Sequence, residues 1–407
     1  MALTLTTADS ALKEDYQPAI REQLNQEIMF VAQMERNSID VEGRRAVLSL
    51  HVSRNSGVGA RAEGGTLPTA GNQGYAESRV TLKYNYGRIQ INGPVIRAMK
   101  SDTGSFTRAV DSETQGVVQD LKRDYNRQLF GNLEGTIAQC DTTSAATEVE
   151  LVSTTTATQM RQFEVGMKVD IGTLAAPSTI VSASAITAID NDVSGGTQSI
   201  TISDSVTTTT SHYVTRAGTK TASGSTNELT GLQAIVTNSG TLFNINPTTD
   251  TVWKSTVSSN SGTNRAATDN LFEQVIDDIM LDGGYAPNFI VTSPAVRRNY
   301  ASQLKAQKRF MNTIDLKGGF SAVSVDAGNV SIPLATDRDA PSNKAFVLNL
   351  NHLKIHESSD WEFMDEDGAV LSRVSGVDAY EATLFKYSEM TTDKRNAHGR
   401  IDDLLES

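Results

Sequence analysis

A glycine-rich stretch of about twenty residues, Asn55 to Gly74, separates two strand-like runs and is followed by a long amphipathic helix. Val47–Val52 precedes it. Arg79–Ile91 follows it, with Val80, Leu82, Tyr84 and Tyr86 alternating with Thr81, Lys83 and Asn85. That alternation predicts one half-buried strand with those four apolar residues on its inner face. A loop this long with no core of its own is uncommon in a compact domain and usually marks a binding segment. The stretch therefore reads as an arm that leaves its own subunit and lies on another, which places assembly ahead of catalysis.

Composition narrows the function classes. The net charge of -12 argues against a chain whose main task is gripping nucleic acid, which needs clustered Lys and Arg. One cysteine, Cys140, excludes a disulfide framework within the chain and points to a reducing compartment. The segment Met1–Thr7 has neither the basic start nor the apolar run of a signal peptide. No run approaches the ~20 apolar residues that span a bilayer. The expectation is a soluble protein made in a cytoplasm, with no membrane partner.

Local patterns divide the chain. Leu12, Tyr16, Ile20, Leu24 and Ile28 form one helical stripe, interrupted by Pro18, that serves either its own domain or a neighbour. Phe106, Val110, Val117, Leu121, Tyr125 and Leu129 recur at helical spacing and predict the core face of a long helix closed by Gly131-Asn132. From Cys140 to Ser225 the chain is rich in Thr, Ser, Val and Ile. Runs at Glu148–Val152, Lys168–Ile171, Thr179–Val181, Ile186–Ile189, Ser199–Ile202 and His212–Thr215 predict a small barrel or sandwich. Thr268–Leu281 reads as a helix, Phe289–Thr292 as a buried strand, and Ser293-Pro294 as the start of another helix. The tail is strand-rich: Phe346, Leu348, Leu350 and Leu353 read as half-buried, Asp367-Gly368 as a hairpin turn, and Leu371–Val374 and Tyr380–Tyr387 as further strands.

No catalytic constellation emerges. His352 and His356 have zinc-like spacing, but on a strand they lie roughly 13 Å apart, so they read as solvent-facing strand histidines. Asp190–Gly195 matches half of a calcium loop but lacks its closing glutamate and reads as a turn. Gly57–Ala62 has dinucleotide-like glycines with no helix after them, so no phosphate site follows. Cys140 has no nearby histidine and reads as inert. No cofactor, metal or catalytic residue is assigned, and the chain is read as not an enzyme.

The order of parts resembles the major capsid protein of tailed bacteriophages, with the Hong Kong 97-type fold that encapsulin shells share. The stretches that carry the likeness are Asn55–Gly74, Arg123–Gly131, Gly284–Val291, Lys308-Arg309-Phe310, Trp361–Gly368 and Lys394-Arg395-Asn396, in sequence across nearly the whole chain. The resemblance implies an α+β fold. Its parts would be an N-terminal arm (1–45), an extended β-hairpin loop (46–93), a peripheral domain with a spine helix (94–140), an inserted small all-β domain (141–225), an axial domain (226–340) and return strands of the peripheral domain (341–407). It implies a structural shell protein that self-assembles into hexamers and pentamers of an icosahedral or prolate capsid. That shell would enclose double-stranded DNA without sequence-specific binding, in the virion, after assembly in the host bacterial cytoplasm. The chain opens almost directly on the arm helix, so a separate scaffolding protein is expected, with a portal and a decoration protein as further partners. Arg54, Gly57, Gly59, Arg61, Glu63, Leu67 and Pro68 would make the intersubunit contact. Some relatives weld subunits through a loop lysine. Here Ser53–Ser78 holds Arg54 and Arg61 but no lysine, and Lys83 lies on the returning strand, so noncovalent assembly is expected. Two alternatives stand beside this reading: an encapsulin-like compartment, and a carbohydrate-binding or adhesin-type surface protein built on the Thr-rich insert.

Overall fold

The computed structural model describes residues 29–37, 45–95, 103–191, 198–220, 226–306, 313–315, 321–328, 330–358, 361–364 and 372–406. The predicted arm helix up to Ile28, most of the calcium-like turn, Lys308-Arg309-Phe310 and the Asp367-Gly368 turn lie outside the described residues. So do the side chains of Phe106 and Val110.

The strands in chain order are β1 (Glu35–Asn37), β2 (Arg45–Ser53), β3 (Gly74–Thr81), β4 (Lys83–Asn92), β5 (Thr136–Gln139), β6 (Thr143–Glu150), β7 (Lys168–Gly172), β8 (Val181–Asp190), β9 (Ser199–Thr208) and β10 (Tyr213–Arg216). They continue as β11 (Thr256–Ser258), β12 (Phe289–Thr292), β13 (Thr313–Asp315), β14 (Ser321–Ala327), β15 (Val330–Thr336), β16 (Ala345–Leu348), β17 (Leu353–Glu357), β18 (Glu362–Phe363), β19 (Ser372–Arg373), β20 (Ala379–Thr392) and β21 (Gly399–Ile401). They build four sheets: a ribbon β2-β3, a sheet β1-β17-β20-β18 with β4 and β19 also on β20, a sheet β5-β10-β7-β8-β9-β6, and a seven-stranded sheet β11-β21-β16-β12-β15-β14-β13.

The long helix runs Thr103–Leu129, 27 residues, or about 40 Å at 1.5 Å per residue. It packs on β4 where that strand has no side chain. A Cβ on Gly87 would lie 2.4 Å from Leu121 Cδ1 and 2.6 Å from Val117 Cγ1. Val117 and Leu121 are half-buried, while Tyr125 and Leu129 are 2% and 0% exposed in the central core. Val117 and Leu121 thus face β4, and Tyr125 and Leu129 face the central core. Gly87→Val is expected to cost about 1–3 kcal/mol through overpacking, read as a lower midpoint in urea unfolding followed by tryptophan fluorescence.

Several expectations need correction. Arg79–Ile91 is two strands, broken at Leu82. Val80 and Leu82 are buried, but Tyr84 and Tyr86 are 45% and 52% exposed, and the inner face is taken up again by Ile89 and Ile91. The break shifts the alternation by one residue, which reverses the faces. Gly131 is not in a left-handed conformation; the first positive φ after the long helix is at Leu133, 70°. The glycine that the packing requires there is Gly231: a Cβ on it would sit 2.3 Å from Gly131 O, so two backbones touch. Thr179–Val181 and Ile186–Ile189 are not two strands. Residues 181–190 form one, bent where Ala183 takes φ 54°.

The expected tail also divides. β17, β18 and β19 pair with β20, as does β4, but β16 and β21 lie in the seven-stranded sheet with β12. All four residues of β16 are buried, as in a strand covered on both faces, so the expected half-buried pattern does not hold. Leu350 sits in a 3-10 turn. At the front, Met29–Gln33 and β1 are built into the body rather than forming an arm. The Phe30 ring lies 5.4 Å from Phe130 and 6.4 Å from Phe289, and β1 runs parallel to β17.

The helices Asp269–Gly283 and Pro294–Ala306 cover the seven-stranded sheet, burying Phe272, Val275, Ile276 and Ile279 from the first and Val296 and Tyr300 from the second. Thr268 caps the first helix, and Gly284 ends it at φ 71°, where glycine carries no Cβ penalty. Ser293 Oγ accepts from Val296 N at the start of the second. Arg395, 1% exposed, donates to the carbonyls of Ala234, Ile235, Ser239 and Gly240. It satisfies the carbonyl end of the short Leu232–Ile235 helix.

The sheet from β5 to β6 closes on itself. Cys140 bridges Leu151, Asp141 N donates to Glu150 O at 2.8 Å, and Val152 N donates to Gln139 O at 3.2 Å. The result is a small barrel filled by Val149, Leu151, Met160, Val169, Ile171, Ile186, Ile200 and Val214. It begins at β5, five residues ahead of the expected start of the insert at 141.

Candidate assembly surface

The ribbon is built from its register outward. β2 and β3 pair from Arg45↔Thr81 to Ser53↔Gly74, a span of about 30 Å at 3.3 Å per residue. Its root is held: Ala46 and Val80 are 0% exposed, Leu50 joins the central core, and Arg79 N donates to Phe243 O at 3.0 Å. Its tip is supported only by itself among the described residues. Asn55 Nδ2 donates to Gly71 O and Asn55 Oδ1 accepts from Gly57 N, both at 2.6 Å. Arg61 Nε donates to Thr66 O at 3.0 Å, and Gly65 N to Ala62 O at 2.9 Å. Gly71 is needed at the neck, where a Cβ would fall 2.3 Å from Ser56 Oγ.

The predicted contact residues all lie on this tip. Arg54, Gly59, Arg61, Glu63 and Leu67 are exposed, with Gly57 and Pro68 half-buried. Leu67 is 82% exposed. The Arg61 side chain turns back onto the carbonyls of Ala60 and Thr66 rather than toward Glu63. Sequence reasoning missed Val58, Tyr75 and Val47, which are 67%, 66% and 55% exposed. The available signal was that β2 and β3 carry apolar residues on both faces, and one face of a ribbon needs a cover from elsewhere.

The C-terminal half of the long helix organises what the ribbon stands on. Arg127 pairs with Glu228 and with Asp124, and Arg216 of β10 donates to Asp124 Oδ1 at 3.0 Å. Gln128 donates to Asn85 Oδ1 at 2.9 Å and accepts from Leu229 N at 3.1 Å. The helix is thereby tied to β4, to the barrel and to the segment after it. Burial opposes both charges, but the two guanidiniums outweigh it at Asp124 and hold its carboxyl below the usual range. Glu228 and Asp124 likewise raise Arg127 against the effect of burial. Apart from the i,i+3 pair Asp124–Arg127, these partnerships are not visible in sequence, because they join positions up to 101 residues apart.

Glu389 of β20 is 1% exposed. Burial pushes its carboxyl up to about 7, against the backbone donors Thr230 N and Met390 N and the positive charge of Lys83. A carboxyl raised in the folded state favours folding while protonated, and that advantage is lost as pH rises from the usual carboxylate range through about 7. Glu389→Gln is expected to gain stability relative to the unsubstituted chain at pH 8 compared with pH 5, measured by thermal melts at the two values.

The remaining candidates are structural. His352 lies in the 3-10 turn and contacts Asp393 at 2.8 Å; His356 is not solvent-facing but 2% exposed, with Thr391 Oγ1 2.8 Å from its Nδ1. Among the described residues no group of three or more His, Cys, Asp or Glu is placed to hold a metal. Cys140 is buried in the barrel seam, and burial pushes its thiol up to about 12. Among the described residues no helix is long and apolar enough to cross a membrane.

The fold recurs in known shells. The chain aligns with a chain of the cyanophage A-1(L) capsid asymmetric unit over 99% of both, at 14% identity and a TM-score of 0.59. It aligns with the holo-SrpI encapsulin complex from Synechococcus elongatus PCC 7942 over 100% of this chain and 98% of that one, at 8% identity and a TM-score of 0.50. At such identities the likeness establishes the fold, which is the Hong Kong 97-type capsid fold, and no more. No curated protein matches by sequence. The family model of the SU10 major capsid protein matches residues 180–405, more than half of the chain. The match begins at the barrel strand β8 and runs through the seven-stranded sheet and β17 to β20, so it extends well beyond the Thr-rich module. The chain therefore belongs to the SU10 major capsid protein family, the shell-forming proteins of tailed phages.

Proposed function

We propose that copies of this chain assemble through the ribbon into hexamers and pentamers of a closed icosahedral or prolate shell around double-stranded DNA. The observation that carries the reading is the ribbon tip: Asn55 and Arg61 hydrogen-bond within it while Leu67 and Val58 stand 82% and 67% exposed. Covering one such side chain contributes about 1.5–3 kcal/mol. One contact of that size is weak, but a subunit that meets several neighbours at once gains from high effective concentration. Closed symmetry repeats the same modest interface until no free edge is left.

The role is structural rather than catalytic. The subunits are held noncovalently, because the loop has no lysine and Lys83 donates to Thr226 O at 2.6 Å within its own subunit. The net charge of -12 suits a container that encloses DNA without reading its sequence. A scaffolding protein, a portal and a decoration protein are the expected partners, with assembly in the host cytoplasm. The test is negative-stain microscopy and size-exclusion chromatography of the chain, produced alone and with its scaffold. Closed particles are expected, and monomers under both conditions would reject the reading. Particles filled with a cargo enzyme instead of DNA would move it to an encapsulin-like compartment, which the shared fold also accommodates.

A further inference from the structure

A cleft of about 1240 Å³ lies between the long helix, the barrel and the loop that follows β15. Three elements bring exposed cations to it: Lys122 from the long helix, Arg161 after the short Ala157–Met160 helix, and Lys168 at the start of β7. None of the three side chains has an ion pair among the described residues. The other charges of the wall are engaged. Arg123 is paired with Glu164, and Arg127 and Arg216 with Asp124. Asp337 and Asp339 accept from Asn126, and Asp120 is engaged as well. Arg338 donates to Arg161 O and lies in the field of the two aspartates. Among the free cations stands an apolar side chain. Val165 precedes Gly166, which turns the chain at φ 91°, and is 66% exposed.

The complementary surface is on the same chain. The helix Asp269–Gly283 turns Leu271, Phe272, Val275, Ile276 and Ile279 inward. Its outward face carries Glu273, Asp277, Asp278 and Asp282 around Leu281, which is 83% exposed. These carboxylates have no ion pair among the described residues. A helix C-terminus carries partial negative charge. Three carboxylates in the last two turns, with no base beside them, are therefore unfavourable in the isolated subunit. A cation brought from outside relieves them. The helix end does not line the cleft of its own subunit, so the two surfaces meet only between copies.

We propose that this helix end docks into the cleft of a second copy, with Leu281 against Val165 and the carboxylates against Lys122, Arg161 and Lys168. A helix with its side chains is about 10–12 Å across, so two turns take roughly 850–1200 Å³, within the volume of the cleft. The contact joins two different surfaces, the kind that closes rings. It deepens the assembly reading by adding a second contact beside the ribbon, and it rests on that reading only for closure of the ring. Exposed charge pairs are screened by salt, so the contact is salt-sensitive.

The test uses the full chain. Isotope-labelled and unlabelled subunits are mixed and treated with a carbodiimide, which joins touching carboxylates and amines directly, and are digested for mass spectrometry. Cross-links from Asp277, Asp278 or Asp282 to Lys122 or Lys168 are expected between labelled and unlabelled copies, fading at high salt. Asp277→Lys with Asp278→Lys, and separately Arg161→Glu with Lys168→Glu, should each weaken self-association about tenfold or more in sedimentation velocity, because like charges then face each other. All four substitutions together should restore it. Missing cross-links, association unchanged by either reversal, or no recovery in the fourfold variant overturns the proposal. Val58→Ser with Leu67→Ser tests the ribbon separately: it should abolish shells and leave the cross-links in place. Shells that persist there reject the ribbon, whereas missing cross-links in the unsubstituted chain reject the helix contact.

Discussion

Excision of Gly57–Ala70, with Ser56 joined directly to Gly71, is expected to leave a folded subunit that forms no closed shells. The cut follows from the neck geometry. Gly71 already lies against Ser56, so close that a Cβ on it would meet the serine's backbone nitrogen at 3.0 Å. Ser53 and Gly74 remain paired, and the register of the ribbon is untouched. No residue of the three buried clusters is removed, so the thermal midpoint of the monomer should stay within a few degrees of the intact chain. What disappears is the exposed Val58 and Leu67 surface. Electron microscopy of the excised chain, produced beside the intact one, provides the measurement. Normal particles from the excised chain would remove the ribbon from the assembly mechanism.

Arg127→Ala is expected to be among the most damaging single substitutions in the subunit. The Arg127 and Glu228 side chains are 9% and 4% exposed, and Asp124 leans on the same guanidinium. Removing the arginine strands the buried Glu228 carboxylate and leaves Asp124 to Arg216 and Gln128. Breaking a buried pair from one side costs about 3–5 kcal/mol, because the remaining charge is left without compensation. That is a large part of the ~5–15 kcal/mol that holds a typical domain together. The paired variant Arg127→Met with Glu228→Leu should recover much of the loss, since it removes both charges and keeps the volume. Urea unfolding of the three chains decides the matter. Equal loss in the single and paired variants would show that packing, not the stranded charge, sets the cost.

Much of this architecture was legible in the residues. The strand Phe289–Thr292 is found at its expected limits, because a short apolar run between Pro287 and Ser293-Pro294 has little else to become. The helix expected over Thr268–Leu281 begins after its Thr268 cap and ends at Gly283, because capping chemistry acts within one turn. The long helix shows through its apolar spacing, and the ribbon through its glycines. The errors have a common cause. The outward turn of Tyr84 and Tyr86 depends on a break at Leu82 that periodicity alone does not reveal. The placement of β16 and β21 depends on which sheet offers two covered faces, and the burial of His356 on the elements packed around it.

The chain by itself determined the kinds of pieces: where helices start, where strands run, where glycine must lie, and that the surface around Leu67 has no partner in its own sequence neighbourhood. Those outcomes follow from propensity, capping and hydrophobic period, which act over a few residues. Only the tertiary structure decided that Arg127 meets Glu228, that Asn126 bridges two aspartates, that Arg395 holds four carbonyls, and that the barrel seam closes at Cys140. Each joins groups distant along the chain, where burial strengthens electrostatics and makes every unpaired polar atom costly. Local pattern carries no record of which distant group will meet that need.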